Sequence, residues 1–375
     1  MLDNINILSI APYSILPAKS GGKITMRELH HHIGKICTDN VVSTADNEDN
    51  TAYRFILQKV FSPSKLRYLP YTGLKKLYKI CIERNVRFIH SEHHYMGFTA
   101  MALARKVGVP WFIRSHNIEA ERFRSIGKIW WPLMRLFEKY IMRKANGIFF
   151  ITQEDADWAK QHYGIQAEKC HFIPHGTHLT SIPATNTNSK THIAEENDIP
   201  TDVPWLYFLG ALDYEPNRQA VEYMLNDILP RLDAKGFRYR LLIAGKGLND
   251  DLAKRINAAE QVHYLGFVSD LDNFIGACDI MLNPVMTGGG IKTKAVEALG
   301  YNKIVVSSQI GAAGLLPEVC GDNLHITPNY DWDAFADRII AVANKQTIIP
   351  QAFYDTYNWD KIAAKVLAIM QATKV

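Results

Sequence analysis

The strongest constraint on this chain is an alternation that occurs twice: short apolar runs of strand length separated by amphipathic stretches of helical period. Strands alternating with helices favour a parallel sheet covered on both faces. The first series has runs at Ile5–Ala11, Arg87–His90, Trp111–Arg114 and Gly147–Thr152, with helical patterns at 23–36, 74–84, 97–107 and 130–145. Residues 181–204 are polar, proline-punctuated and without period, which predicts a linker. The second series has strand runs at Trp205–Leu209, Tyr239–Ala244, Val262–Leu265, Asp279–Asn283 and Lys303–Ser307, with helices at 217–234 and 249–259. The expected organisation is therefore two Rossmann-like α/β domains: 1–180, and 205–354 after the linker. In the last segment, 355–375, an amphipathic helix at 359–372 is expected to dock back on the first domain. Ligands of such open sheets bind at the carboxyl ends of the strands.

A chain of 375 residues accommodates two domains of ordinary size. Cys37, Cys81, Cys170, Cys278 and Cys320 form no CxxC pair and no Cys/His spacing suited to zinc. They read as reduced core thiols of a cytoplasmic protein. The N-terminus lacks a basic signal region, and no apolar run approaches the ~18 residues of a spanning helix. Residues 1–180 hold 25 Lys/Arg against 15 Asp/Glu, and the remainder 17 against 23. A basic first half suits phosphates, anionic lipid or nucleic acid; a lysine-rich solvated surface explains it equally well. No nucleic-acid-binding motif is present.

Chemistry concentrates in residues 279–300, DIMLNPVMTGGGIKTKAVEALG. A strand ends at Asn283-Pro284, three glycines follow (Gly288, Gly289, Gly290), and a helix begins near Thr293. Backbone amides at a helix N-terminus, uncrowded by side chains, form an anion site. Lys292 and Lys294 place two ammonium groups there, against the helix dipole. A resident diphosphate explains that arrangement; a tight turn with a solvated helix start is the alternative. Glu297, one turn into the helix, is placed to accept hydrogen bonds from a ribose.

This segment resembles the donor signature of the retaining GT-B glycosyltransferases, the bacterial family 4-like sugar transferases. The likeness extends over most of the chain. Gly21-Gly22 is similar to the family's glycine loop after the first strand, and Arg114–Glu119 (RSHNIE) to its R-x-H-N-x-E segment. Phe172–Gly176 (FIPHG) is similar to its I-P-N-G, with His175 in place of Asn. Phe208–Asn217, Leu242–Gly247 and Tyr264–Leu271 resemble its strand-end loops. The resemblance implies two domains facing across a cleft and transfer of a sugar from a nucleotide diphosphate donor to a glycan or lipid-linked acceptor. It implies no cofactor and no metal. Lys292, Lys294 and the Gly288–Gly290 amides would hold the diphosphate, and Glu297 the ribose. Phe267 and Val268 would meet the base; Gly210, Asn217 and Lys246 lie in the other donor-side loops. His116 would lie near the transferred sugar, with Gly21, Gly22, Glu92 and Glu119 on the acceptor side.

The sequence departs from the family in two ways. Many members carry an acid eight residues before the one matched by Glu297, where this chain has Gly289. Ala211 follows Gly210 where many have Arg. A catalytically silent nucleotide-sugar-binding partner and a nucleotide-sugar 2-epimerase are the rival readings.

His30-His31-His32 cannot converge on one ion, because successive helical residues point about 100° apart. His93-His94 lines the acceptor side or caps a loop. Asp213 and Glu215 read as a solvent loop. Residues 122–144 combine seven basic residues with large apolar ones. An amphipathic helix packed on the sheet accounts for this stretch; so does a patch that meets an anionic membrane surface. The latter would make the protein peripheral at the inner face of the membrane.

Overall fold

The computed structural model describes residues 5–49, 52–184 and 188–373. The chain forms two compact units: Met1–His178 together with Trp359–Val375, and Leu179–Asn358.

The first unit contains strands β1 (Asn6–Ile10), β2 (Thr38–Thr44), β3 (Ile56–Phe61), β4 (Phe88–Glu92), β5 (Trp111–Ser115), β6 (Gly147–Phe150) and β7 (Cys170–Phe172). Its helices are α1 (Gly21–Ile36), α2 (Leu74–Glu83), α3 (Gly97–Val107), α4 (Glu119–Ser125), α5 (Trp131–Lys144) and α6 (Gln153–Tyr163). The strands form one parallel sheet in the order β3-β2-β1-β4-β5-β6-β7.

The second unit opens with α7 (Ser189–Asn197), followed by β8 (Trp205–Leu209), α8 (Glu215–Tyr223), α9 (Leu229–Ala234) and β9 (Arg240–Ala244). Next come α10 (Asp250–Asn257), β10 (Val262–Gly266), α11 (Leu271–Ala277), β11 (Ile280–Asn283), α12 (Thr293–Gly300) and β12 (Ile304–Ser308). It closes with α13 (Pro317–Cys320), β13 (Leu324–Thr327), α14 (Trp332–Val342) and α15 (Gln351–Tyr357). Its parallel sheet runs β10-β9-β8-β11-β12-β13.

Both strand orders reverse once, at β1/β4 and at β8/β11. There the connections leave in opposite directions and open a crevice at the strand carboxyl ends.

The final helix, α16 (Trp359–Ala372), belongs to the first unit. Trp359, Ile362, Ala363, Val366, Leu367 and Met370 recur at the spacing of one helical face. They pack on Ile7, Leu29, Ile33, Phe112, Phe149 and Ile173. Each large aliphatic side chain buried this way contributes about 1.5–3 kcal/mol.

Several elements differ from the sequence expectation. Helix α1 begins at Gly21, so Gly21-Gly22 is its first turn and not a preceding loop. The segment expected to be an irregular linker contains α7, with residues 185–187 outside the described set. Ser189 Oγ donates to Asn273 Oδ1 at 2.8 Å and Lys190 Nζ pairs with Asp279 at 2.9 Å, tying α7 to the second unit. The helix expected over 217–234 is helical but carries a π turn at Met224–Ile228, ahead of Pro230. Proline cannot donate to the preceding turn, and a π turn absorbs the missing bond.

Candidate active site

In the second unit Gly210, Asn217, Lys294 and the Gly288–Gly290 loop gather at the β8/β11 reversal. Gly210 N donates to Ala244 O at 3.0 Å, joining the ends of β8 and β9. A Cβ on Gly245 (φ +148°) would lie 1.8 Å from the Gly210 carbonyl oxygen, so only glycine permits this approach. Gly210 in turn packs on Asn217, whose Nδ2 would be 2.6 Å from a Cβ there. Asn217 Nδ2 donates to Ala211 O at 2.9 Å, and its Oδ1 accepts from Lys294 Nζ at 2.8 Å. The Lys294 ammonium also lies 3.8 Å from the Phe208 ring centroid. Burial, reinforced by Lys292, holds its pKa well below the ordinary lysine value. An ammonium held with one neutral oxygen partner and a ring face is poised to gain from an anion.

The glycine loop after β11 turns through left-handed backbone at Gly288 (φ 86°) and Gly290 (φ 69°). A Cβ on Gly288 would meet the Tyr214 hydroxyl and Pro216 at 3.3 and 3.5 Å, placing the loop against the β8–α8 turn. Lys292 Nζ donates to the carbonyls of Gly288 and Gly290, each at 2.9 Å, and so holds the loop in shape. Gly289 is exposed. Glu297 is half-buried on α12. At the loops after β9 and β10, Lys246 Nζ lies 4.1 Å from the centroid of the Phe267 ring, which is 65% exposed. Val268 beside it is half-buried.

In the first unit a buried polar chain runs along the carboxyl ends of β1, β4 and β5. Glu92 Oε2 is 2.5 Å from His116 Nε2, and Oε1 is 3.2 Å from His30 Nε2 and 3.6 Å from Arg114 Nη1. Burial would raise the Glu92 carboxyl, but the Arg114 guanidinium, His116 and His30 hold it well below the usual range. His30 Nδ1 also meets Asp39 Oδ2 at 2.7 Å, and Ser9 Oγ donates to Asp39 Oδ1 at 2.6 Å. Burial lowers His30, yet Asp39 and Glu92 outweigh it and raise its pKa to about 9. Burial wins at His116, whose pKa is lowered in spite of Glu92. A neutral His116 with its Nε2–H on the carboxylate carries its lone pair on Nδ1.

His116 stacks on His93 with centroids 4.0 Å apart, and His93 Nε2 lies 2.7 Å from the Tyr13 hydroxyl. Gly22 is next: a Cβ there would reach only that hydroxyl, at 4.0 Å, and one on Gly21 would meet nothing. Neither glycine has positive φ among the described backbone, so their effect is to leave open space beside Tyr13. Glu119 Oε1 lies 4.0 Å from His93 Nδ1, while Arg122 Nε donates to Glu119 Oε2 at 2.7 Å. The acceptor-side residues chosen from sequence thus gather around His93, which sequence alone left between two readings. Tyr13, Asp39 and Glu138 also contact histidines of this group, and the sequence did not single them out. Tyr13 had a positional signal, following the Pro12 that breaks the first strand. Glu138 had none: it looks like one charge on an amphipathic helix. Its carboxylate is buried, accepting from Glu119 N, Ala120 N and the Tyr163 hydroxyl at 2.9, 3.1 and 2.7 Å.

Two family models match the chain, "Glycosyltransferase Family 4" over residues 26–181 and "Glycosyl transferases group 1" over residues 203–345. Together they account for well over half of it. The chain belongs to the GT-B-fold glycosyltransferases. This glycosyltransferase resembles a solved glycosyltransferase from Rickettsia africae (TM-score 0.73, 15% identity, 98% of each chain covered). It is also similar to Alr3699/HepE of Anabaena in complex with UDP and glucose (TM-score 0.65, 15% identity, 98% of each chain). A curated relative is 24% identical over 71% of this chain, an "Uncharacterized 44.6 kDa protein in cps region" of Klebsiella pneumoniae. The aligned part spans 65% of that relative's length.

Proposed function

We propose that the second unit binds a nucleoside diphosphate sugar and the first unit meets a glycan or lipid-linked acceptor, with transfer retaining the anomeric configuration. The observation that carries this reading is the Lys294–Asn217–Gly210 cluster beside the glycine loop at the β8/β11 reversal. The bond from the sugar's anomeric carbon to the diphosphate breaks, a bond to the acceptor oxygen forms, and the acceptor's proton passes to the leaving phosphate. Lys294 and the loop amides stabilise the departing charge, as preorganised donors do at an oxyanion. These groups supply the positive charge without a metal. The exposed Phe267 ring gives a flat face for the base. Support for a nucleotide-sugar donor comes from the UDP and glucose in the Anabaena structure, and for surface-polysaccharide synthesis from the cps-region relative.

Purified protein incubated with UDP-, GDP- and other nucleotide sugars is expected to release nucleotide from one donor class. No release from any donor, while nucleotide still binds, would favour the silent-partner reading, for which Gly289 in the place of an acid is the motive. Glu297→Ala is expected to lower turnover about tenfold to a hundredfold, the worth of a charged hydrogen bond at roughly 1.5–3 kcal/mol. Full activity in that variant would remove Glu297 from the ribose.

We also propose that the first unit touches an anionic membrane. Among the described residues no helix is long and apolar enough to cross one. The α4–α5 region, however, exposes Ile126, Ile129, Trp130, Leu133, Leu136 and Tyr140, with Ile129 at 92%. Lys128, Arg124, Arg143 and Lys144 are exposed among them. The helix buries its opposite side, Glu138, Ile141 and Met142. Each basic residue near an anionic bilayer contributes on the order of 1 kcal/mol, screened by salt. Co-sedimentation is expected with anionic vesicles, falling steeply as salt rises. Equal pelleting with neutral vesicles, or none with either, would refute it.

A further inference from the structure

The three consecutive histidines of α1 do diverge, but two of them join partners from distant segments. His30 enters the buried Asp39–Glu92 network. His32 meets Glu28, one turn earlier on α1, and His178, the last residue before the chain passes to the second unit.

We propose that Glu28, His32 and His178 form a binding site for a first-row divalent transition metal such as zinc or cobalt. The three ligand atoms lie within 4.8 Å of one another. His178 Nε2 is 3.2 Å from Glu28 Oε2, and His32 Nε2 is 4.0 Å from the same oxygen. Tetrahedral ligands at bond lengths of about 2.0–2.1 Å sit roughly 3.3 Å apart. His178, 65% exposed, has room to close the remaining gap by side-chain rotation.

Two observations set this cluster apart from ordinary surface charge. His32 is 2% exposed, yet its Nε2 is buried with no hydrogen-bond partner. That atom faces the Glu28 oxygen. Its other ring nitrogen, Nδ1, lies 2.7 Å from Asp360 Oδ1 on α16. Donation of Nδ1–H to a carboxylate fixes the tautomer that presents Nε2 to an ion, the arrangement found behind metal-bound histidines. Arg27 binds the other Glu28 oxygen, Oε1, and leaves Oε2 toward the histidines. Lys35 Nζ, 3.2 Å from both Asp360 Oδ1 and His32 Nδ1, adds positive charge beside the ring, competes for its Nδ1 and limits the affinity. A His₂-carboxylate set with one open position selects imidazole-loving ions over magnesium or calcium.

The test uses the full chain without a polyhistidine tag. Titration calorimetry with zinc chloride is expected to show one site per chain, and cobalt is expected to give visible absorption bands of tetrahedral intensity. Magnesium is expected to give no signal. His178→Ala removes an exposed ring without disturbing the core and should weaken zinc binding at least tenfold. Glu28→Gln should act similarly. Absence of zinc binding at micromolar concentration in the wild type overturns the proposal. So does binding that survives both substitutions, or that is lost instead in His90→Ala, which would place the ion in the His30–His90–Glu92 group. Circular dichroism of each variant confirms that a lost signal is not a lost fold.

Discussion

Lys294→Ala is expected to weaken binding of a nucleoside diphosphate by about thirtyfold to several thousandfold. Removing one member of a desolvated, hydrogen-bonded charge pair costs roughly 2–5 kcal/mol. Without ligand, however, the Lys294 ammonium is held against burial and the like charge of Lys292. Its removal should therefore leave the melting temperature of the free protein unchanged or raised. This opposition of effects separates a ligand-binding lysine from a structural one, whose loss would lower stability and affinity together. Calorimetry with UDP and GDP reads the first quantity and thermal unfolding the second. A bound diphosphate favours the charged form and raises the depressed Lys294 pKa, so binding takes up protons at any pH where the free lysine is partly deprotonated, visible as a dependence of the heat on buffer ionisation. Unchanged affinity in Lys294→Ala would sink the diphosphate assignment.

The second large effect is one of stability. Glu92 balances Arg114, His30 and His116 in a buried site. Glu92→Ala leaves a buried guanidinium and a buried imidazolium without their shared carboxylate. Breaking such a pair costs about 3–5 kcal/mol, a melting shift of roughly 6–20 °C for a unit of this size. The network also makes stability bell-shaped in pH. The folded-state pKa of Glu92 is depressed, so its contribution is present above the unfolded value near 4.3 and is lost as pH falls through the lower folded value. His30 is raised to about 9, so its contribution is full below about 6.5 and is lost as pH climbs through 9. Urea unfolding across pH should show the alkaline decline in wild type, and the decline should be absent in His30→Gln. An identical alkaline limb in both proteins would remove the charged His30 from the account.

The parts legible in sequence were those with periodicity or a strand-end position. The α16 stripe, with apolar residues from Trp359 to Met370, needs no tertiary information to be recognised as one face. The Gly288–Gly290 loop is legible as a run of glycine between a strand end and a helix start, and Gly288 and Gly290 do take the left-handed backbone that favours glycine. Strand β2 was illegible for the opposite reason. Its residues Asp39, Asn40 and Ser43 are polar yet buried, and their side chains hydrogen-bond to His30, Ser9, Ile7 and Tyr13 on other elements. Edge strand β3 carries Gln58 and Lys59 and reads as loop. Helix α7 shows no amphipathic pattern and is held by two polar side-chain contacts. In the candidate site, single residues at strand ends could be named, but the stack of His116 on His93 joins segments more than twenty residues apart and has no local signature.

The placement of α16 governs the order in which the nascent chain can mature. The second unit is continuous in sequence and holds all its strands once residue 358 has been made. The first unit is interrupted: Ile7, Leu29, Ile33 and Phe149 wait, with their apolar faces uncovered, through the translation of about 180 intervening residues before α16 exists to cover them. Domain maturation thus runs against the usual N-to-C direction of synthesis. During that interval the exposed groove is the natural target for a holdase chaperone, and a premature stop just after residue 358 would damage the domain made first.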